Sequence, residues 1–345
     1  GDAVTTGKCN VSIGTAALGA STTGCLNIGI GATAMGAAIV TGINNIAVGT
    51  TSMDALTSGI CNVAIGTNAL GASTTGCKNI AIGELAMGAA VTTGINNIAV
   101  GTTSADALTS GIQNIALGVN ALGVSTTGCN NVAIGSGASG GADTTGISNI
   151  AIGSASMDAL TSGICNVAIG ANALGAATTG CSNVAIGNGA IDTGVVTGNY
   201  NTAINLSALQ DVTSGKENVA IGPDAMKNLT TGCVNIAIGS SALATAVVTG
   251  INNIALGTQA MDALTSGLCN VAIGSNALGA STTGCLNIAI GDLAMNCCTA
   301  TGYRNIHMGH YAGARITTGR DNISMGYDTS AKITTGCNNI AIGCT

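Results

Sequence analysis

Cysteine, histidine and aspartate are the residues of this chain whose types and spacing suggest chemistry. Seven of its fourteen cysteines, Cys25, Cys77, Cys129, Cys181, Cys233, Cys285 and Cys337, recur every 52 residues. Four more, Cys9, Cys61, Cys165 and Cys269, each stand sixteen residues before a member of that series. Three chemical readings follow. On stacked rungs, Cys9–Cys25, Cys61–Cys77, Cys165–Cys181 and Cys269–Cys285 are candidate disulfides, with α-carbons about 5–6 Å apart and within bonding range. Adjacent strand residues pointing to opposite faces would oppose that pairing. Alternatively the thiols are small apolar fillers, because Ile43, Ile60, Ile95 and Leu268 take equivalent places. The third reading is bonding to neighbouring chains. Cys297-Cys298 fits none of these schemes. A metal site is not expected, since no C-x-x-C occurs and no histidine stands near the column.

The two histidines share the segment Asn305-Ile306-His307-Met308-Gly309-His310. Four of the eight basic residues (Arg304, Arg315, Arg320, Lys332) and three of the four tyrosines fall in the last 43 positions. Specific contacts need such irregularity, so Tyr303, Arg304, His307, His310 and Tyr311 form a candidate partner contact within a divergent segment, 299–345. The bland alternative is surface decoration. Asp54, Asp106, Asp158 and Asp262 recur at multiples of 52. The glycine–aspartate nonapeptide of calcium solenoids is absent, and these acids are expected to be solvated charges that discourage aggregation. No nucleophile–base–acid set recurs. The sequence therefore predicts no enzyme, no catalytic residues, no metal and no cofactor.

The elements that carry these residues are repeats. A motif Asn-(Ile/Val/Thr)-Ala-(Ile/Val/Leu)-Gly occurs twenty times with small variations, its asparagines running from Asn10 through Asn27, Asn45, Asn62, Asn79 and Asn97 to Asn339. The steps are 17, 18 and 17 residues, so three make the 52-residue super-repeat. A fixed short period means a stacked architecture. With the asparagine as position 0, Gly stands at −3 in all twenty units and at +4 in nineteen, Asn205 being the exception. These glycines suggest corners with positive φ or close backbone approach. Aliphatic residues at +1 and +3, with alanine between, read as a short strand with one packed face. A second apolar run centres on +8, at Leu18, Met35, Met53, Leu70 and Met87. Segments of about seven residues framed by glycine are too short for stable helices. The fold class is all-β, a parallel β-solenoid of about 20 rungs of 17–18 residues. Stacked asparagine amides are expected to bond along the stack as a structural ladder. The single proline, Pro223, sits at a corner that tolerates it.

Composition agrees. Charged residues are 6% against roughly 25% in ordinary globular chains, and mean hydropathy is +0.53. No stretch of about 18 apolar residues exists, so no transmembrane helix is expected. Net charge is −6 with no basic stripe, which gives nucleic-acid binding no support. The surplus of apolar residues is expected to be buried twice, inside each coil and between chains. Residues 1–345 read as one repeat domain, a segment of a longer fibre.

Asn-Ile-Ala-Ile-Gly followed by Ala-Leu and a Thr-Thr-Gly turn resembles the head repeats of trimeric autotransporter adhesins. It resembles more closely the repeats of phage tail fibres and large-virus fibre proteins; Asn201-Thr202-Ala203-Ile204 and Tyr303-Arg304-Asn305-Ile306 are nearest to that style. The resemblance covers essentially the whole chain. It implies a left-handed β-roll, three chains side by side, and a stiff shaft or adhesive head. Fourteen cysteines depart from a family repeat that is usually poor in them. The expected function is a structural fibre or adhesin shaft, extracellular or on a virion surface. Its expected partners are copies of itself and a host-cell surface receptor, with no membrane insertion. The alternatives are a self-assembling filament and an ice-binding solenoid. Consecutive threonines, as at Thr22-Thr23, count against ice, because neighbours point to opposite sides.

Overall fold

The computed structural model describes residues 4–296, 300–330 and 332–344. The chain divides into two compact units, Gly1–Thr179 and Gly180–Thr345. The first carries ten three-residue strands, from β1 (Val11–Ile13) and β2 (Ile28–Ile30) to β10 (Val167–Ile169). The second carries ten more, β11 (Val184–Ile186) to β20 (Ile340–Ile342). Within each unit, successive strands pair in parallel and in register, as Ile80↔Ile98, Ala81↔Ala99 and Ile82↔Val100 do. No helix occurs among the described residues. The fold is a parallel β-solenoid of about 17 residues per turn.

The packed face of each strand is the alanine face. Ala47, Ala64, Ala81 and Ala99 are fully buried at +2, while the flanking aliphatic residues turn outward. Alternation alone left the inward side open; the opposite wall decides it. Ala34, Ala69 and Ala86 at +7 and Met35, Leu70 and Met87 at +8 are also fully buried. In most rungs the +8 wall supplies a large buried side chain, joined in some by a second at +11 (Leu56 beside Met53, Leu160 beside Met157), and the strand supplies the small one facing them.

The asparagine column forms the predicted ladder. The Asn45 amide Nδ2 donates to Asn27 Oδ1 at 3.1 Å and to Gly59 O at 2.8 Å. The Asn45 backbone N–H donates to the same Asn27 Oδ1 at 3.0 Å. From Asn27 to Asn322 these asparagines are buried, so their polar groups are satisfied inside the coil as burial requires.

The two glycine columns serve different purposes. At +4 the φ angles are wide, +138° at Gly49 and +136° at Gly66, a region that side chains rarely enter. At −3 no such φ occurs. There a Cβ on Gly24 would sit 2.8 Å from Asn27 Nδ2 and 2.9 Å from Gly42 O, so close approach is the reason. Three further corners per rung are left-handed without glycine, as at Leu26 (58°), Thr33 (52°) and Met35 (50°). Such residues cost about 1–2 kcal/mol each. The inter-rung bonds hold them there, with Thr33 N donating to Thr15 O at 2.9 Å and Met35 N to Ser52 O at 3.0 Å.

The recurring aspartates are not merely solvated. Every third step has an extra residue in its loop, and a carboxylate from the next rung anchors that loop. Asp54 accepts from Ala37 N (2.9 Å), Asp106 from Ala89 N (2.8 Å) and Asp262 from Thr245 N (3.0 Å). Four of the six long loops are followed by this aspartate; Gln210 and Ala314 stand in its place after the other two.

Candidate interaction surfaces

Within each unit the outward strand residues form two adjacent aliphatic columns at +1 and +3. Ile65 is 41% exposed, Ile82 37%, Ile169 38% and Ile238 41%. With on the order of 100 Å² of apolar side chain per rung, ten rungs expose roughly 1,000 Å², beyond the few hundred expected on a monomer surface. The strands are in register, so this surface repeats regularly, and it carries no charge along β2 to β10.

The corner before the asparagine carries the cysteines. Isolated parallel bridges place Cys77 beside Ile95, Cys129 beside Ile147 and Cys285 beside Tyr303, so position −2 forms a continuous column within a unit. The thiols of Cys25 and Cys77 approach the carbonyls of Thr23 and Thr75 at 3.4 and 3.3 Å, and the Lys8 N–H donates to Cys25 Sγ at 3.3 Å. Cys9, Cys61, Cys165 and Cys269 at −1 are exposed and left-handed, with φ of 56–58°. That kink breaks strand alternation, so the opposite-face objection does not apply at this corner. All twelve described cysteines are free thiols. Cys165 and Cys181 belong to different units, and Cys297-Cys298 lies outside the described residues.

The predicted partner-contact residues separate into three places. Tyr303 and Arg304 lie at the corner before the strand. Arg304 grips Asp321 through two bonds, Nε–Oδ1 at 2.8 Å and Nη2–Oδ2 at 3.0 Å. Arg320 donates to Tyr303 Oη at 2.6 Å, and the Arg304 guanidinium lies 5.0 Å from the Tyr303 ring centre. His310 and Tyr311 lie at the corner after the strand. There His310 meets Asp292 at 3.2 Å, packs edge-on against Tyr311 at 4.3 Å and stacks on Tyr327 at 5.4 Å. Exposed pairs of this kind contribute about 1 kcal/mol or less. Asp292, Arg320, Asp321 and Tyr327 were missed as contact residues. Their signal was the rung period: 292, 310 and 327 share one column, as do 303 and 320.

His307 is a correction. It is fully buried in the strand's alanine column and offers no surface to a partner. The even position in the three-residue strand points inward, whatever residue occupies it.

Threonines divide by position. Those at −5 are half-buried and bond along the stack, as Thr57 Oγ1 does to Thr74 O at 3.0 Å. Those at −4, such as Thr23, Thr41 and Thr75, are exposed.

No family model matches this chain, and no curated protein matches it. The class defined by the fold is a β-solenoid repeat protein with a buried asparagine ladder.

Proposed function

We propose that this chain is a structural fibre or adhesin-shaft component in which copies pack side by side through the aliphatic strand face, as a homotrimer borne outside the cell or on a virion. The observation that carries this reading is the uncharged, in-register pair of aliphatic columns on each unit. Burying it between copies removes from water the apolar surface that a lone coil leaves exposed, and a symmetric assembly of identical rungs does so repeatedly. The two corner clusters near residues 303–327 supply charge and aromatic variety for a receptor. Light scattering with and without reductant tests the reading. A native mass of three times 32.8 kDa in both conditions supports it and makes packing, not disulfides, the cause; a single-chain mass removes it.

A second reading rests on the exposed hydroxyl column at −4, which recurs once per rung and can order water. The −5 hydroxyls are engaged in the stack, as are those of Thr41, Thr93, Thr145, Thr197 and Thr249 in the −4 column, so that column is interrupted every third rung. A thermal hysteresis assay with no ice shaping excludes this reading.

A further inference from the structure

One rung of the second unit departs from the core pattern in two places at once. In β18 (Ile306–Met308), His307 stands where most rungs have alanine. At +8, where most rungs have leucine or methionine, the same rung has Gly313. A Cβ at Gly313 would collide with the imidazole ring. The large and small residues have exchanged walls, and the volume is conserved while the chemistry is not. Among the described residues neither ring nitrogen of His307 has a hydrogen-bond partner. The next rung is altered in the same sense: Ser324 in β19 (Ile323–Met325) registers with His307, and Ser330 takes the +8 position. Their buried hydroxyls are likewise without partners among the described residues. On the preceding side, β17 (Ile288–Ile290) presents Ala289.

We propose that the His307 rung is an acid-sensitive release point, where protonation of the imidazole opens the coil locally between β17 and β19 while the remaining rungs of the unit stay closed. A charged imidazole has nothing to pair with inside. Asp292 on the rung before, Arg304, His310 and Arg315 on its own rung, and Asp321 and Asp328 on the rung after are all at least partly exposed. The residues facing the ring, Ala289, Gly313 and Ser324, carry no charge. Burial accordingly lowers the His307 pKa from its ordinary 6.5 to about 4. The sign follows from proton binding. Between those values the open rung binds a proton that the closed rung refuses, so closure is fully stable above about pH 6.5 and weakens as pH falls toward 4. At pH 5 the opening constant rises about twenty-fold over that at pH 7. This inference goes beyond the fibre reading and holds for any number of assembled chains.

Amide hydrogen exchange on the full chain at pH 7 and pH 5, corrected for intrinsic rates, tests it. The comparison is wild type against His307→Ala/Gly313→Leu, which restores the common alanine–leucine pair, and against His307→Gln, which keeps bulk without titrating. The expected result is an acid-induced rise of about twenty-fold at the amides of Ile306, Asn322 and Ile323 in wild type. That rise is absent from both variants and from peptides spanning 201–240. Should the double variant fold poorly, His307→Gln alone decides. Equal acid responses in wild type and His307→Gln, or a rise spread evenly along the unit, would overturn the proposal.

Discussion

Replacing Asn97 by alanine removes four hydrogen bonds from the middle of the first unit. Its Nδ2 donates to Asn79 Oδ1 (3.2 Å) and Gly111 O (2.9 Å), and its Oδ1 accepts from the N–H and Nδ2 of Asn114 (2.9 and 3.1 Å). Two of the four partners keep another bond. Asn79 Oδ1 still accepts from the backbone N–H of residue 97, and Asn114 Nδ2 still donates to Gly128 O. Gly111 O and the Asn114 N–H are left without those partners inside the coil, and each such buried group costs about 1–3 kcal/mol. The expected destabilisation is therefore about 2–6 kcal/mol. A stacked repeat need not unfold as one unit, so the assay is local. Hydrogen exchange at the Asn114 amide reports directly on the lost acceptor, and should accelerate about thirty-fold or more. Urea unfolding supplies the global measure, with exposed Glu84→Ala as a control near zero. Unchanged protection at Asn114, or a urea midpoint no lower than the control's, would refute the idea that the ladder holds the rungs together.

Gly66→Ala should cost several kcal/mol, because φ is +136° and the new Cβ would lie 2.7 Å from the backbone carbonyl carbon of Gly83; loss of cooperative thermal unfolding near that rung checks it. Asp106→Ala frees the amide of Ala89 in an exposed loop, while Gly88 N keeps its bond to Leu85 O, and should cost about 1 kcal/mol, read as faster exchange confined to residues 88–90. Ile65→Glu with Ile82→Glu alters only outward side chains, so circular dichroism should be unchanged while the native mass falls to one chain. A mass that stays at the wild-type value would place the interface elsewhere.

Much of the fold was legible because each structural need recurs at one position. The asparagine ladder, the glycine corners and the rung length all follow from a column that repeats every 17 or 18 residues. Pro223 also fits. It stands at +5, and its own carbonyl still accepts from Ser241 N. What the columns could not show is conformation that residue type argues against. Leu26, Thr33 and Met35 are poor choices for left-handed backbone by local preference, yet the stacking of identical rungs imposes it on them. The direction of the strand faces was hidden for a related reason. Period-two alternation separates two faces without naming the inner one. The filler at +8 on the opposite wall settles that alanine goes in.

That inversion bears on function. In an isolated globular domain the β-branched residues of a strand ordinarily pack inward, and small or polar ones face water. Here the coil is too narrow for them, and Met or Leu from the other wall already fills it. The isoleucines therefore contribute little to the interior of their own coil. Yet the sequence keeps Ile, Val or Leu at +3 in nearly every rung and almost never a charge. Propensity for strands explains part of this choice, but threonine would serve that purpose at a wet surface, and Thr202 shows that the +1 column accepts it. Near-absence of threonine along these two columns is what a second apolar surface requires. The His307 rung supplies the contrast. Its irregularity is on the inside, paired with Gly313 six residues away, and becomes visible only once the register is known. Outward regularity and the inward exchange at the His307 rung are therefore separate features, testable independently by mass and by acid.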